Sequence, residues 1–173
     1  DPADAKSLSD DYITDVYVDN TGILWIGTDA GLDKYDPFTQ QFQSTAIPPF
    51  SGEFSVYRTP SSITEDARYP DQLIISMSGA GIYQYNTDTD EFILHCHNDK
   101  DPYSLPDNSV YVVYRDQQGR QWVGTRTGIS ITDDAFKKFT KPDFAPLGQI
   151  KSIHKVLQDK MGNYWLASYS DGI

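Results

Sequence analysis

Short apolar runs alternate with tight polar turns along the whole chain. The runs are rich in Val, Ile and Tyr, as in residues 12–18 and 110–115, and this composition predicts β-strands. Turns of the form Asp-x-x-Gly follow these two runs, at residues 19–22 and 116–119. The Asp side chain can accept hydrogen bonds from the turn amides, and Gly tolerates the positive φ that a tight turn requires. The pattern therefore predicts an all-β chain of short antiparallel strands.

An internal repeat organises these strands. All three tryptophans, Trp25, Trp122 and Trp165, occupy one position of a recurring unit that reads Asp-x-x-Gly-x-x-Trp. Ile74 occupies this position in a weaker copy, in which the turn is two residues longer. Successive positions are separated by 49, 48 and 43 residues, a spacing that suits one four-stranded blade of a β-propeller.

Each copy reads as four strands. The first strand is expected at residues 12–18, 110–115 and 150–157, the second carries the Trp, and the third follows another Gly. The fourth strand carries a recurrent Phe, which is Phe42, Phe92 or Phe139. We therefore predict an all-β fold, a partial β-propeller with three nearly complete four-stranded antiparallel blades and the start of a fourth. The expected blades span residues 8–46, 55–97, 107–141 and 149–173, and both ends read as cut from a longer array.

Three residue types of the repeat have structural roles in this interpretation. The Trp ring fills the wedge between neighbouring blades, and the Gly two residues later leaves room for the next sheet. The Asp bonds the amides of the hairpin turn. The residues at these positions are Trp25, Trp122, Trp165, Gly27, Gly124, Asp19, Asp116 and Asp159.

The motif Asp-x-x-Gly-x-x-Trp-[Ile/Val]-Gly-Thr, followed by Gly-[Leu/Ile] and preceded by Ser-Leu-x-Asp, resembles the two-component regulator propeller repeat. The resemblance covers essentially the whole chain and is strongest around Trp25 and Trp122. It implies the periplasmic sensor region of a membrane-bound hybrid histidine kinase of the Bacteroidetes type, in which oligosaccharides control gene expression. It is also compatible with the sensor of a membrane-bound diguanylate cyclase. The repeat motif is structural, so the resemblance assigns no ligand contact.

Charge and composition narrow the classes of function. The chain has 14 Lys and Arg against 25 Asp and Glu, a formal net charge of −11, which disfavours nucleic acids and anionic membrane surfaces as partners. With 38% hydrophobic residues the chain can form a core, yet no apolar run approaches the roughly 20 residues of a spanning helix. Cys96 is the only cysteine, which excludes an internal disulfide.

Sequence motifs for catalysis or cofactor binding are missing, so no enzyme activity and no cofactor are predicted. The chain has no Walker A loop, no Gly-x-Ser-x-Gly elbow, no His-Glu-x-x-His and no dinucleotide fingerprint. His95 and His97 would share one strand face, but His154 is the only other histidine and a structural zinc site normally has four ligands. Residues 86–90 have the oxygen spacing of a calcium loop but lack its Gly and its bidentate Glu. We interpret the two segments as a strand end and a hairpin turn, and predict no metal site.

Ligand contacts are expected on loops. The turns after the second strands and the long connections between blades share one face of a propeller, and their sequences vary while the repeat motif does not. Arg126 offers a planar donor fork to an anionic glycan, and Tyr169 offers an aromatic stacking face to a sugar. The candidate ligand-binding residues are Arg126, Tyr169, Asp29 and Ser78. The alternative interpretation is that each is an ordinary exposed turn residue.

Three functions are compatible with these features. The first is a non-catalytic sensor segment, completed by the remaining blades of a parent chain, that binds an oligosaccharide and relays to gene regulation. The second is a secreted carbohydrate-binding or interaction propeller. The third, an enzymatic propeller with an axial metal or His site, has least support because the three histidines are scattered. Uncovered blade faces at the two ends predict a dimer or other self-association.

Overall fold

The computed structural model describes residues 6–50, 59–66, 69–133, 135–143 and 150–169, and this part of the chain is all-β. Its strands follow the order of the repeat. They are β1 Ile13–Val18, β2 Leu24–Thr28, β3 Gly31–Asp36, β4 Gln41–Thr45, β5 Pro60–Asp66, β6 Tyr69–Met77, β7 Gly81–Asn86, β8 Glu91–His95, β9 Val110–Arg115, β10 Gln121–Thr125, β11 Gly128–Thr132, β12 Ile153–Gln158 and β13 Tyr164–Ser168.

The strands form four antiparallel meanders, which we number as blades. Blade 1 is β1–β4, blade 2 is β5–β8, blade 3 is β9–β11 and blade 4 is β12–β13, and within each blade sequential strands are neighbours. The first strands of successive blades also contact one another, β1 with β5, β5 with β9 and β9 with β12. These four strands therefore lie around a common axis and the blades extend outwards from it, which confirms the β-propeller prediction.

The hydrophobic core lies between blades. Trp25 of blade 1 packs in one cluster with Ile63 and Tyr85 of blade 2. Trp122 of blade 3 packs with Ile153 and Val156 of blade 4. Each of these Trp side chains is at most 2% exposed, so these two interfaces each bury a large apolar ring whose removal from water stabilises the pair of blades.

The repeat glycines lie where the next blade approaches most closely. A Cβ on Gly27 would come within 2.9 Å of the Pro60 side chain, and a Cβ on Gly124 would come within 2.5 Å of the Ile153 carbonyl oxygen. Pro60 and Ile153 are the first residues of β5 and β12. These distances are shorter than real Cβ atoms show, so a side chain at either position would push two blades apart.

Each repeat Asp ties its turn to its tryptophan. Asp19 Oδ1 accepts hydrogen bonds from the Thr21 and Ile23 amides at 2.9 and 3.0 Å. Its Oδ2 accepts one from Trp25 Nε1 at 2.8 Å. Asp116 and Asp159 hold the tryptophans of their own blades in the same way. One carboxylate thus satisfies the turn and fixes the orientation of the ring.

Asp116 is the most strongly perturbed of these carboxyl groups. Burial alone raises its pKa, but the hydrogen bonds from Trp122, from the backbone and side chain of Arg120 and from Tyr164 outweigh burial and lower the pKa to about 2. Tyr164 belongs to blade 4, where its ring stacks on Trp122 with centroids 4.3 Å apart. The Asp116 carboxylate of blade 3 therefore also binds a side chain of blade 4.

Two strand predictions differ from the structure. Phe139 lies outside any strand, and the outer edge of β11 is joined to the following segment by a single bridge between Ile131 and Thr140. The reason is that the Phe139 amide donates to the Tyr103 carbonyl at 2.8 Å, which draws this segment away from β11. The first strand of blade 4 starts at Ile153 rather than at residue 150, because Ser152 has a φ of 51° and bends the chain.

Candidate functional site

The four sequence-predicted ligand residues occupy one equivalent place in the four blades. Each begins the turn after the second strand, and each donates its backbone N–H to the carbonyl just before the first strand of the same blade. These hydrogen bonds join Asp29 to Tyr12 at 3.2 Å, Ser78 to Thr59 at 3.1 Å, Arg126 to Ser109 at 3.0 Å and Tyr169 to Ser152 at 3.0 Å. Because the first strands surround the axis, these turns lie around it on one face of the propeller.

Connections between blades reach the same face. The Gly79 and Gly81 amides of blade 2 donate to the Asn108 carbonyl, at 3.1 and 2.8 Å, just before blade 3 begins. The Ser152 amide, just before blade 4, donates to the Arg126 carbonyl at 3.0 Å. Turns and inter-blade connections are therefore joined by hydrogen bonds, and a ligand on this face would meet both.

A second set of side chains comes from a bulge that recurs in every first strand. The strand pairing shifts register immediately after Ile13, Pro60, Val110 and Ile153, and one residue is skipped each time. The skipped residues are Thr14, Ser61, Tyr111 and His154. A bulge redirects a side chain out of the regular pleat. Sequence reasoning missed this set, although three of its members lie eleven residues before a repeat Trp.

The two sets meet at a cavity of about 630 Å³, which we call the axial mouth. All four blades contribute to it. Its lining residues are Tyr12, Ile13, Thr14, Asp29, Thr59, Pro60, Ser61, Ser78, Tyr111 and His154. The structure thus brings two of the predicted residues, Asp29 and Ser78, into one cavity with the bulge residues.

One side of the axial mouth is aromatic. The rings of Tyr111 and His154 stack with centroids 4.0 Å apart and an angle of 13° between their planes. The Tyr169 ring lies 5.9 Å from that of His154, and Tyr169 is 87% exposed. We call these three residues the aromatic wall. Partial desolvation lowers the pKa of the exposed His154 imidazole below its usual value, which favours the neutral form at pH 7.

The other side is polar. The Thr59 hydroxyl donates to Asp29 Oδ1 at 3.3 Å, and Asp29 is exposed. The Ser61 hydroxyl lies 2.5 Å from the Val110 carbonyl oxygen and 3.1 Å from that of Ser76. Ser78 is half-buried between these groups and blade 3. Carboxylate and hydroxyl groups therefore line the same cavity as the stacked rings of Tyr111 and His154.

Arg126 is held apart from this cavity. Its Nη2 lies 3.0 Å and its Nε 3.2 Å from Oδ2 of Asp107, whose side chain is 6% exposed. The guanidinium is 60% exposed but does not line the axial mouth. The structure therefore places Asp29 and Ser78 in the lining and Tyr169 beside His154, and it leaves Arg126 paired with a buried carboxylate.

A second cavity, of about 700 Å³, lies beside the connection between blades 2 and 3. It opens where the segment around Phe139 leaves β11, and Leu105 and Ile129 line it. The Ser130 hydroxyl also lines this cavity and is buried without a hydrogen-bond partner within the described residues. None of the four predicted ligand residues lines it.

The two segments considered for metal binding have other partners. His95 Nε2 lies 2.8 Å from Gln84 Oε1, while His97 Nδ1 lies 2.7 Å from the Leu105 carbonyl oxygen. Asn86 Oδ1 accepts hydrogen bonds from the amides of its own hairpin turn, including that of Asp88 at 2.9 Å. Within the described ranges no three His, Cys, Asp or Glu side chains are grouped as metal ligands. That part of the chain also contains no helix of the length and apolar character that a membrane span requires.

Comparison with known proteins gives the same repeat. The family model described as the two-component regulator propeller matches residues 7–30 and 104–127. The chain is 28% identical over 111 residues to histidine kinase P4 of Formosa agariphila, an alignment that covers 62% of this chain and 8% of that kinase. Both matched repeats carry the Ser-Leu-x-Asp and Asp-x-x-Gly-x-x-Trp motifs.

Two solved structures are similar over nearly the whole chain. The extracellular domain of the hybrid two-component system BT3049 of B. thetaiotaomicron has a TM-score of 0.70 and 25% identity, covering 95% of this chain and 24% of that one. The extracellular domain of BT4673 from the same organism has a TM-score of 0.68 and 26% identity, covering 93% and 22%. The chain thus spans a quarter or less of the length of these relatives. Two segments of the chain, residues 7–30 and 104–127, are thus similar to two-component regulator propeller repeats.

Proposed function

We propose that this chain is a non-catalytic segment of the extracytoplasmic, periplasmic sensor region of a membrane-bound hybrid histidine kinase, and that it binds an oligosaccharide and relays its presence to gene regulation. The repeat family and the likeness to extracellular domains of hybrid two-component systems support the sensor role. The observation that carries the ligand proposal is the axial mouth, where turn and bulge residues of four blades face one cavity.

The chemistry of the axial mouth suits a sugar. A pyranose ring has apolar C–H faces that pack on aromatic rings, and the stacked pair Tyr111 and His154 presents such a surface. The hydroxyl groups at the edge of the sugar need hydrogen-bond partners, which Asp29, Ser61 and Ser78 supply across the cavity. These residues differ between blades although they occupy equivalent positions, so the repeat scaffold can be kept while recognition changes.

Relay of the signal follows from the position of the site. A ligand can shift a conformational equilibrium only by binding one state more tightly than the other. A ligand in the axial mouth contacts side chains of all four blades, so its affinity depends on how these blades are arranged. Rearrangement of the blades in the parent receptor would therefore change ligand affinity, and ligand binding would favour one arrangement.

A second candidate function is a secreted carbohydrate-binding or interaction propeller that is completed by self-association. The observation that favours it is a pair of uncovered faces. Val16 of blade 1 is 50% exposed, while the equivalent Val113 and Val156 are 4% and 1% exposed. Trp165 of blade 4 is 53% exposed, while Trp25 and Trp122 are at most 2% exposed. The remaining blades of a parent chain or a second copy would cover these faces.

Sequencing the gene on both sides of this segment separates the two functions. Further repeats followed by a membrane span and a histidine-kinase core are expected for the receptor, and a cyclase core would change only its output. Further blades followed by a stop codon, without a span, would contradict the receptor and support the secreted propeller.

Ligand binding is tested with the chain itself on a glycan microarray, followed by calorimetry of the strongest ligand. We expect Tyr169→Ala to weaken binding at least tenfold, because the exposed ring at the edge of the aromatic wall is lost. Phe38→Ala is the matched control, since Phe38 is 81% exposed in a turn at the outer edge of blade 1. Equal affinities of the wild type and Tyr169→Ala would remove Tyr169 from the site.

A further inference from the structure

The described lining of the axial mouth is negatively charged. Among the described residues that line it there is no Lys or Arg, and Asp29 carries the only carboxylate. The whole chain carries a net charge of −11, so the surrounding field is negative as well. An anionic ligand that entered this cavity would meet repulsion and no cation of the lining.

Arg126, the cation that the sequence predicts as a ligand contact, is already engaged. Arg126 directs Nη2 and Nε to one oxygen of Asp107, at 3.0 and 3.2 Å. Asp107 is 7% exposed, and its other oxygen accepts the Ser109 amide at 2.7 Å. Pulling Arg126 towards an anionic sugar would leave a buried carboxylate without its charged partner, which is costly. Arg126 therefore neutralises Asp107 rather than the ligand.

The histidine of the described lining is His154. Its imidazole stacks on Tyr111, and partial desolvation lowers its pKa below the usual value, which favours the neutral form and an uncharged aromatic face at pH 7. A neutral imidazole stacked on a phenol ring presents a flat, uncharged surface to the cavity.

From these contacts we infer that the axial mouth selects neutral oligosaccharides over those that carry carboxylate or sulfate groups, with the sugar ring on Tyr111 and His154 and its hydroxyl groups on Asp29, Ser61 and Ser78. This inference rests on the proposed oligosaccharide binding. It assigns the bulge residues Tyr111, His154 and Ser61 to the site and removes Arg126 from it.

The test compares two sets of probes on the 173-residue chain. The neutral set contains hexasaccharides of cellulose, xylan, mannan and starch, and the anionic set contains hexagalacturonate, hexamannuronate and a chondroitin sulfate hexasaccharide. We expect at least one neutral glycan to bind at least tenfold more tightly than every anionic one. Its affinity should fall at least tenfold in His154→Ala and Tyr169→Ala, both of which alter exposed side chains, and remain within twofold in Arg126→Ala.

Charge selectivity is tested by Asp29→Asn. Removing this carboxylate should narrow the preference for neutral over anionic glycans at least threefold, because the repulsion is lost. Asp88→Asn is the matched control, since it makes the same change in net charge at an exposed hairpin turn of blade 2 and should leave the preference unchanged.

The outcomes separate the inference from the proposed function. Tighter binding of an anionic glycan, lost in Arg126→Ala, would overturn the inference and leave oligosaccharide binding intact. Neutral glycan binding that is unaffected by His154→Ala and Tyr169→Ala would overturn the placement at the axial mouth. If neither set of probes binds, both the inference and the proposed oligosaccharide binding are overturned.

Discussion

Single side chains link the turns, the tryptophans and the blade interfaces of this propeller. Asp116 accepts hydrogen bonds from its own turn, from Trp122 and from Tyr164 of the next blade. Asp159 has the equivalent place in blade 4, but there Trp165 is 53% exposed. The two residues therefore share one motif, but only Asp116 holds a buried Trp and a side chain of the next blade.

This difference predicts unequal stability losses. Asp116→Ala should lower the free energy of unfolding by about 3 kcal/mol, because it leaves the buried Trp122 Nε1–H without an acceptor and removes the hydrogen bonds from Arg120 and Tyr164. Asp159→Ala is the matched control and should cost clearly less, because water can replace the lost acceptor around an exposed Trp165. Urea denaturation followed by tryptophan fluorescence measures both changes, and equal losses would show that the link to Tyr164 contributes nothing.

The second strand of each blade is the element that sets the distance between blades. In blades 1 and 3 a Trp fills the interface, and the Gly two residues later lets the first strand of the next blade approach, whereas blade 2 has Ile74 and Ser76 at these positions. In blade 3 that approach brings Ile153 of β12 against Gly124 of β10. Blade 4 has Ala167 at this position of β13. The requirement for Gly in blade 3 therefore comes from the close approach of Ile153 in the next blade.

Adding a single methyl group at Gly124 tests whether Ile153 of the next blade requires a Gly at this position. Gly124→Ala should lower the melting temperature and cost about 2–4 kcal/mol, because its Cβ would lie 2.5 Å from the Ile153 carbonyl and force β10 and β12 apart. The control is Ala167→Gly, the reverse change at the equivalent position, for which we expect a loss of at most about 1 kcal/mol from chain entropy. Circular dichroism melts compare the two, and similar small shifts would mean that the blades adjust without strain.

At the scale of the whole molecule, the first and last described blades carry complementary uncovered faces. In blades 2, 3 and 4, the second strand of the preceding blade covers Ile63, Val113 and Val156, respectively. The equivalent Val16 of blade 1 and Trp165 of blade 4 are 50% and 53% exposed. A second copy of the chain could therefore bind head to tail through the same type of interface that repeats inside it.

We expect the 173-residue chain to self-associate and Val16→Asp to raise the dissociation constant at least tenfold, because a charge would enter an apolar interface. Val18→Asp is the matched control. Val18 is also exposed, at 58%, but its equivalents in the other blades are Glu65, Arg115 and Gln158, so this position tolerates polar groups. Sedimentation velocity over a range of concentrations measures both variants. A wild-type chain that stays monomeric at high concentration would contradict the expected self-association.

Sequence alone determined the repeat and therefore the architecture. The spacing of Trp25, Ile74, Trp122 and Trp165 and the recurrent Asp-x-x-Gly turns predict blades, because strand propensity and turn chemistry act over a few residues and recur in register. The same pattern placed Asp29, Ser78, Arg126 and Tyr169 in equivalent turns. Local rules reach this far because every blade is built from consecutive strands.

Tertiary structure alone decided how these equivalent residues differ. The sequence predicts Arg126 as a contact for an anionic glycan. Its ion-pair partner Asp107 lies nineteen residues earlier in the chain, and only the fold shows that the two side chains meet. Tyr111 and His154 come from separate blades, and their stacking depends on two bulges that bring the first strands together around the axis. The fourth strand predicted at Phe139 was displaced by a hydrogen bond to Tyr103. Local propensity carries no information about such contacts, because they join residues that only blade packing brings within reach.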